Sequence, residues 1–327
     1  MLVNRTVFNA IVAFSLGLVA PAFAQDWPSR SITMVVPFAA GGPTDVLGRV
    51  MAQRLSEILG QSVIVENVGG AGGMTGAQRV AEAKPDGYMF VLGTVGTHAQ
   101  NQTLYKKPLY SAATDFEPVA LVAEVPEVLI TRKDLSANSL PEFVAHAKAN
   151  SAKMSFGSAG SGSATHLGCV VLNSAIGVDI THVPYRGTGP AMQDLTAGRI
   201  DYLCEIITTG LPQIQAKTVK PLAILTRNRS PVLPDLPTAS EQGLGDFEAY
   251  TWNAFFLPKG TPEPIIRKLH DATVEAMNTP SVRDRLSTLG ANLVEPERRS
   301  SEYLGKFVRS EIEKWAVPIR ASGVAGQ

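Results

Sequence analysis

The apolar positions of this chain follow two alternating patterns, short unbroken runs and longer stretches with helical spacing. Near the start the unbroken runs are "SITMVVPF", "SVIVENV" and "YMFVLGTV", which predict buried strands. Helical spacing follows the first two of these runs, from Thr44 to Leu59 and in "GGMTGAQRVAEA". Strands that are separated by helices of this length indicate parallel βαβ units, with helices covering both faces of the sheet.

A second series of the same kind begins after a long extended stretch that contains Pro118 and Pro126. Four more apolar runs predict strands: "KMSFGSAG", "DITHVPYR", "IDYLCEI" and "VKPLAILT". Helical patterns occur in "SLPEFVAHAKAN", where Ser139 is a suitable N-cap, and in "ATHLGCVVLNSAIG" and "GPAMQDLTAG". The chain ends with a proline-rich loop over 227–250, a strand in "WNAFFLPKGTP" and helices over 262–278, 280–289 and about 300–316.

This order predicts an α/β protein of two lobes, each a mostly parallel sheet flanked by helices. The first lobe takes 25–125 and 250–327, because the last strand and helices return to it, and the second lobe takes 126–249. The chain then crosses between the lobes near Glu124–Leu129 and again near Tyr250–Leu257. About 300 mature residues suit two domains of ordinary size, and two lobes joined in this way leave a cleft between them.

The N-terminal residues have the pattern of a secretory signal peptide. Arg5 is followed by an apolar run from Val7 to Ala20, and Ala22 to Ala24 form a small-x-small cleavage site. A membrane anchor is the alternative, but the run is shorter than the ~20 residues that span a bilayer. We therefore expect residues 1–24 to be removed on export and the mature protein to lie in the periplasm.

Charge and cysteine content narrow the class of protein. Lys and Arg together number 29, as do Asp and Glu, and no basic stripe is present, so a nucleic-acid partner is not expected. The 5 histidines have no metal-ligand spacing, and we expect neither a metal nor a cofactor. Cys169 and Cys204 predict a disulfide in an oxidising compartment, with two buried thiols as the alternative.

Small residues concentrate where a predicted strand passes into a predicted helix. The junctions of this kind are 39–45 ("AAGGPTD"), 69–76 ("GGAGGMTG"), 93–97 ("GTVGT"), 157–166 ("GSAGSGSATH") and 186–191 ("RGTGPA"). In open parallel sheets ligands bind beyond the carboxyl ends of the strands, where these junctions lie. Glycine lets a ligand approach the backbone, and helix N-termini carry unpaired N–H groups and a partial positive charge.

Several such helix ends that point at one cleft would bind an anion without any lysine or arginine. The junctions also carry hydroxyl donors, on Thr44, Thr94, Thr97, Ser158, Ser161, Ser163, Thr165 and Thr188. The alternative for each junction taken singly is a plain turn in which Ser and Thr act as helix caps. Asp45 and Arg49 are four residues apart on one helix and predict a local ion pair, which would keep this acid from weakening the anion site.

No catalytic template fits the chain, and we do not expect an enzyme. The glycines of 157–166 lack the G-x-S-x-G spacing of a nucleophile elbow, and no P-loop sequence is present. A loose dinucleotide fingerprint, G-x-G-x-x-x-G, is formed by Gly70, Gly72 and Gly76 after a strand. The next strand lacks the acidic residue that binds a ribose, so an exported dinucleotide-dependent enzyme is kept only as an alternative.

Taken in order, these motifs resemble the Bug-type extracytoplasmic solute-binding proteins of the tripartite tricarboxylate transporter family. The matching stretches cover essentially the whole mature chain and include "FAAGGPTDVLGR", "VENVGGAGGMTGAQRVAEAKPDGYMF", "FGSAGSGSATHL" and "VPYRGTGPAMQDLTAGRIDYL". The resemblance implies a Venus-flytrap fold, similar to type II periplasmic binding proteins, that closes on a small organic acid and delivers it to a membrane permease. We expect a monomer, and a ligand-sensing partner of a membrane receptor is the alternative role.

The resemblance also implies which residues contact the ligand, a carboxylate held partly by backbone amides and bridging waters. In the first lobe they are Phe38, Ala39, Gly41, Gly42, Thr44 and Asp45, with Thr94 at the border. In the second lobe they are Ser158, Ser161, Thr165, His166, Tyr185 and Gly187. Glu205 stands where many members have aspartate, and its longer side chain would reach an amino group or hydroxyl of the ligand.

Overall fold

The computed structural model describes residues 27–245 and 247–326. The predicted signal peptide over 1–24 therefore lies outside the described residues. Over the described ranges, no helix combines the length and the apolar character that a membrane crossing requires.

The strands and helices follow the predicted order, with three further elements that the sequence did not predict: helices over Asn101–Leu104 and Ile207–Gln215 and a strand over Asn292–Leu293. The strands are β1 (Ile32–Val36), β2 (Val63–Asn67), β3 (Met89–Thr94), β4 (Phe116–Arg132), β5 (Ser155–Ser158), β6 (Thr181–Pro184), β7 (Tyr202–Ile206), β8 (Val219–Ile224), β9 (Tyr250–Pro258) and β10 (Asn292–Leu293). The α-helices are α1 (Pro43–Leu59), α2 (Met74–Ala81), α3 (Asn101–Leu104), α4 (Leu140–Asn150), α5 (Ala164–Ile176), α6 (Thr188–Thr196), α7 (Ile207–Gln215), α8 (Glu263–Asn278), α9 (Pro280–Thr288) and α10 (Ser301–Ala321).

The strands form one mixed sheet in the order β2-β1-β3-β9-β4-β7-β5-β6, and β8 and β10 also pair with β4. Parallel pairing holds at the two ends, where β1 lies between β2 and β3, and β5 lies between β6 and β7. In the middle, β9 is antiparallel to β3 and β4, and β4 is antiparallel to β7. The predicted parallel units are thus the ends of a sheet whose centre is antiparallel.

Strand β4 belongs to both halves of this sheet. It pairs with β9 from Phe116 to Pro126 and with β7 from Glu127 to Thr131. The change of partner lies inside the predicted crossing over Glu124–Leu129. We call the part built on β1–β3, β9 and β10, with α1–α3 and α8–α10, the first lobe, and the part built on β5–β8, with α4–α7, the second lobe.

Helix α1 shows how the apolar pattern positions the site. Leu47, Met51 and Leu55 are almost wholly buried, and their spacing of four residues places them on one face of the helix. Gly48 lies on the same side, where a Cβ would be 3.1 Å from Val36 Cγ2, so the helix lies close to β1. Each of the three side chains contributes roughly 1.5–3 kcal/mol by burial, which fixes the start of α1 against the carboxyl end of β1.

The predicted disulfide is wrong, because Cys169 and Cys204 are both free and fully buried. The backbone N–H of Cys204 on β7 donates a hydrogen bond of 3.0 Å to Sγ of Cys169 on α5. Burial raises the pKa of the Cys169 thiol and raises that of Cys204 well above its ordinary value. The two thiols therefore act as buried packing groups between helix and strand, which is the alternative that the sequence left open.

Candidate ligand-binding site

A small cavity, which we call the interlobe chamber, lies where the two lobes meet. Its empty space, open solvent included, is about 330 Å³. From the first lobe it is lined by Phe38, Gly42, Pro43, Thr44, Thr94 and Thr251. From the second lobe it is lined by Ala159, Ser163, Ala164, Thr165, Thr188 and Ile206. None of these described lining residues carries a charged side chain, and half of them carry a hydroxyl.

The N-terminus of α1 faces the chamber without a side-chain cap. Its N-cap is Gly42, which has no side chain to offer, and Pro43 follows. The N–H groups of Thr44 and Asp45, in the first turn, therefore have no partner within their own helix. Because Gly42 and Thr44 line the chamber, this helix end brings unpaired N–H groups and a partial positive charge to it.

Asp45 lies in the same turn, but its carboxylate takes part in a local network instead. Its Oδ2 accepts hydrogen bonds of 2.9 Å from the N–H of Gly41 and from Nε of Arg49, and its Oδ1 accepts one of 2.9 Å from Asn67. Burial alone would raise the pKa of Asp45, but the bonds from Arg49, Gly41 and Asn67 outweigh it and lower that pKa. The predicted Asp45–Arg49 ion pair is confirmed, and the acid holds the turn before α1 in place.

The N-terminus of α6 faces the chamber from the second lobe. Its N-cap is Gly187, again without a side-chain hydrogen bond. Thr188 opens the helix and lines the chamber. Its Oγ1 is buried and has no hydrogen-bond partner among the described residues, so it is a donor or acceptor that a ligand in the chamber would satisfy.

The N-terminus of α5 differs, because the turn before it satisfies its own amides. Ser163 caps the helix by accepting from the N–H of His166. The N–H of Ala159 donates to Thr165 Oγ1 over 3.0 Å, and that of Gly162 donates to Nδ1 of His166 over 3.2 Å. The alternative interpretation, in which Ser and Thr act as helix caps, therefore holds for this junction. The turn contributes hydroxyl and methyl groups to the chamber wall.

Other glycine-rich turns bring the two lobes into contact. A Cβ on Gly72 would collide with the carbonyl oxygen of Ser161, and one on Gly96 would lie 2.7 Å from that of Gly162. Tyr105 Oη in the first lobe also donates to the Ser161 carbonyl over 2.9 Å. The turn that a dinucleotide would need for its pyrophosphate is therefore occupied by the second lobe.

The structure brings part of the predicted set together. Phe38, Gly42, Thr44, Thr94 and Thr165 line the chamber. Ala39, Gly41, Asp45, Ser158, Ser161, His166, Tyr185, Gly187 and Glu205 lie outside its lining. Several of these hold turns in shape: Tyr185 Oη, for example, donates to Asp194 Oδ2 over 2.7 Å and does not point into the chamber.

His166 and Ser161 line a separate cavity on the far side of α5, next to His182. The rings of His166 and His182 lie 4.2 Å apart, and His182 Nε2 is 2.7 Å from Ser158 Oγ. Burial, with the neighbouring His182, lowers the pKa of His166 to about 3, and burial lowers that of His182 to about 4. Both rings are neutral at physiological pH and add no positive charge to the chamber.

Sequence reasoning missed several wall residues, which are mostly apolar: Pro43, Ala159, Ala164, Ile206 and Thr251. Ser163 and Thr188 were considered only as general hydroxyl donors. Ile206 follows the predicted Glu205 at the carboxyl end of β7, and Thr251 is the second residue of β9, where the chain returns from the second lobe. These positions could have identified both residues from the sequence, because the ends of strands at a crossing between lobes lie beside the cleft.

Two acidic side chains lie beneath the chamber wall, and both are almost completely buried: Glu127 and Glu205. Thr209 Oγ1 donates to Oε1 of Glu205 over 2.5 Å, but Oε2 of each glutamate has no partner among the described residues. Burial raises the pKa of Glu205 to about 7, against smaller lowering effects of Thr209 and Thr188. Burial and the nearby Glu205 raise the pKa of Glu127 well above its ordinary value.

Residues 47–324 match the family model described as the tripartite tricarboxylate transporter family receptor. The chain belongs to this receptor family. This confirms the resemblance that the glycine-rich motifs indicated.

Solved structures of similar proteins agree with this family assignment. The chain is similar to the periplasmic binding protein BugD, with 40% identity and a TM-score of 0.89 over 92% of this chain and 100% of that one. It is similar to MatC from Rhodopseudomonas palustris with bound malate, with 41% identity and a TM-score of 0.87 over 90% and 100%. A second R. palustris protein, solved with adipate, has 35% identity and a TM-score of 0.88 over 92% and 100%. The predicted two-lobed α/β binding-protein fold is confirmed.

Proposed function

We propose that this receptor is an exported, periplasmic solute-binding protein. It captures a small organic carboxylate in the interlobe chamber and delivers it to a membrane permease of the tripartite tricarboxylate type. The observation that carries the proposal is the pair of uncapped helix N-termini, at Gly42 and Gly187, which bring N–H groups to one chamber from opposite lobes. Such ends bind anions without a cationic side chain.

The similar proteins support the ligand class, because malate and adipate are both small carboxylates. The periplasmic location is supported by BugD, and the permease partner by the family description. A wall of hydroxyls and methyl groups holds and orients a ligand, and it includes no side chain that could act as nucleophile and base together. This supports a binding role without catalysis.

We propose that binding is reported by closure of the two lobes, 25–125 with 250–327 against 126–249. Strand β4 crosses between them, and β9 pairs with it up to Pro126 and Tyr250, so opening bends the sheet beyond the end of this pair. A ligand that contacts α1 and α6 together stabilises the closed arrangement more than the open one. That difference in affinity is what drives closure.

Titration calorimetry of ligand-free protein against a panel of mono- and dicarboxylates tests the proposal. We expect at least one acid to bind and to reduce the radius of gyration measured by X-ray scattering. A folded protein that binds no acid in the panel would contradict the proposed function. A pull-down from host membranes with and without the bound acid tests the partner, since recovery of a signalling receptor without permease subunits would support the sensing role instead.

A further inference from the structure

The hydroxyl group of Thr188 lies between the end of α1 and the side chain of Glu205. On the chamber side, a Cβ on Gly42 would lie 3.8 Å from Thr188 Oγ1, so the hydroxyl faces the N-cap of α1 from the opposite lobe. On the other side, Thr188 is close enough to Glu205 to lower the pKa of its carboxyl group. A carboxylate bound at the end of α1 would therefore meet this hydroxyl, with Glu205 behind it.

The contacts of Glu205 with α7 fix the direction of its carboxyl group. Thr209 Oγ1 donates to Oε1 of Glu205 over 2.5 Å, and a Cβ on Gly210 would lie 3.4 Å from Cγ of the glutamate. Thr209 and Thr188 both line a second cavity, which we call the outer groove and which also includes Met192 of α6. Because α7 holds Oε1, the other carboxyl oxygen is left for the side on which Thr188 lies.

The two oxygen atoms that would meet are both without a partner. Thr188 Oγ1 and Glu205 Oε2 are buried, and neither has a hydrogen-bond partner among the described residues. Since Thr209 occupies Oε1, we expect the proton of the neutral carboxyl group on Oε2. A protonated Oε2 donates to Thr188 Oγ1 and leaves the hydroxyl hydrogen free for the chamber. An ionised Oε2 accepts that hydrogen instead, and only oxygen lone pairs then face the chamber.

Burial, rather than a neighbouring charge, is the main influence on this carboxyl group, and it raises the pKa of Glu205 to about 7. The titratable side chains that interact with it are Glu127 on β4, Cys169 on α5 and Cys204 on β7, none of which supplies a positive charge. Helix α6 carries Asp194, which accepts hydrogen bonds from Tyr185 and Arg199, and α9 contributes Arg285 to the outer groove. Neither Asp194 nor Arg285 contributes to the shift of the Glu205 pKa.

We propose that the Thr188 hydroxyl donates a hydrogen bond to the ligand carboxylate, and that the carboxyl group of Glu205 positions this hydroxyl from behind the chamber wall. The inference rests on the proposed function, in which the ends of α1 and α6 bind the carboxylate. Thr188 is then a binding residue, whereas Glu205 is a positioning residue that does not touch the ligand. With Glu205 protonated, the chain of hydrogen bonds from Oε2 through Oγ1 to the ligand is continuous.

Loss of the Glu205 proton to solvent reverses the direction of the Thr188 hydroxyl. The ligand carboxylate then faces lone pairs in place of a donor, so one of its hydrogen bonds is replaced by repulsion. The receptor therefore binds its ligand more tightly in a mildly acidic medium than in an alkaline one. The change of affinity follows the titration of a group that lies outside the chamber lining.

The pH dependence of affinity tests this inference. Calorimetry with lactate, malate and adipate, from about pH 6 to about pH 8.5, covers the titration of Glu205, and these acids titrate below that range. For each acid that binds, we expect the affinity to fall at least about tenfold over the range, with net proton uptake on binding near its middle. Binding with a flat profile would overturn this inference and leave the proposed function standing. Binding of no acid at any pH, in this set or in the wider panel, would overturn both.

Variants separate the positioning role from a structural one. Glu205→Gln presents an amide N–H to Thr188 at every pH, so it should bind as the parent does at about pH 6 and lose the pH dependence. Thr188→Val removes the hydroxyl, and it should weaken binding about tenfold at that pH and also lose the pH dependence. Thr188→Ser retains a hydroxyl and should keep the parent's profile.

Glu297→Gln is the matched control, because it makes the same change at an exposed glutamate, and its profile should equal that of the parent. A parent-like profile in folded Glu205→Gln, or in folded Thr188→Val, would overturn the inference. If Glu205→Gln does not fold, the comparison of Thr188→Val with Thr188→Ser decides the question together with the parent's own profile.

Discussion

The backbone N–H of Ala39 in the first lobe donates a hydrogen bond of 3.2 Å to the carbonyl oxygen of Arg186 in the second lobe. A Cβ on Gly187 would lie 2.9 Å from Cβ of Ala39, and one on Gly69 would lie 3.0 Å from the Arg186 carbonyl. The turns that precede α1 and α6 therefore touch each other directly. Because the same turns carry the uncapped helix ends, this contact between the lobes lies directly beside the place where the ligand would bind.

Substitution of Gly42 tests the helix end of the first lobe. A Cβ there would lie 3.4 Å from the Ala39 carbonyl and 3.8 Å from Thr188 Oγ1, which are ordinary contacts, so Gly42→Ala should bind nearly as the parent does. Gly42→Val adds two methyl groups in the chamber, and we expect affinity to fall on the order of a hundredfold. Calorimetry measures both, with His146→Ala on α4 as a control remote from the chamber. Equal affinity of all three variants would place the site elsewhere.

Substitution of Gly72 tests closure separately from binding. Gly72→Ala places a Cβ against the Ser161 carbonyl, whereas Gly60→Ala has open space, and the two glycines have similar φ values of 61° and 66°. Both alanines are therefore strained by about 1 kcal/mol, but only Gly72→Ala obstructs the second lobe. We expect weaker ligand binding, and a smaller ligand-induced change in X-ray scattering, in Gly72→Ala alone. Matching behaviour of the two variants would show that this contact does not limit closure.

The pH dependence of stability reports on Glu205. Its pKa is about 7 in the folded protein against an ordinary 4.5, so between these values the folded protein keeps a proton that the unfolded chain releases. The contribution of Glu205 to stability therefore falls as pH rises from about 4.5 to about 7, by roughly 3 kcal/mol at most. Glu205→Gln lacks this titration, so its unfolding free energy should decline less over that window.

Urea unfolding of parent and Glu205→Gln at a series of pH values makes the measurement. His166 and His182 contribute with the opposite sign, because their lowered pKa values make acid destabilising, but they do so in both proteins. The difference between the two curves reports Glu205 together with its effect on the pKa of Glu127. Parallel curves over this window would mean that the pKa of Glu205 is no higher in the folded protein than in the unfolded chain.

Alkylation tests the state of the cysteines. We expect exported protein, never exposed to reductant, to resist iodoacetamide when folded and to take up two adducts once unfolded in urea. Absence of adducts in the unfolded protein would reveal a disulfide. Cys169→Ser keeps an acceptor for the N–H of Cys204, whereas Cys169→Ala leaves that buried N–H unpaired, which should cost roughly 1–3 kcal/mol of unfolding free energy.

The sequence was sufficient to predict the alternation of strands and helices and the place of the site. Apolar spacing in α1, for example, depends only on which face is buried, and the structure buries Leu47, Met51 and Leu55 as that spacing requires. Glycine-rich junctions after strands predicted where helix ends meet the cleft. Both inferences rest on local geometry, which neighbouring residues in the chain determine.

The identity of the wall residues was not predictable in the same way. Gly42, Thr44 and Asp45 share one turn. The carboxylate of Asp45, however, accepts hydrogen bonds from Gly41 and Arg49, and this arrangement depends on the loop conformation. Glu127 gave no signal within an apolar strand, because its position follows from the register that sets it opposite Ile206. Contacts of this kind arise between distant segments and need the tertiary structure.

The two lobes meet through main-chain atoms at Gly72 and Ser161, and at Gly96 and Gly162. Main-chain atoms are the same in every amino acid, so this contact between the lobes does not depend on which side chains line the chamber. Natural selection can therefore change the recognised compound by exchanging wall residues while the clamping surface is preserved. A protein engineer who wishes to turn the scaffold into a biosensor can also exchange wall residues, provided that Gly72, Gly96 and Gly162 are retained.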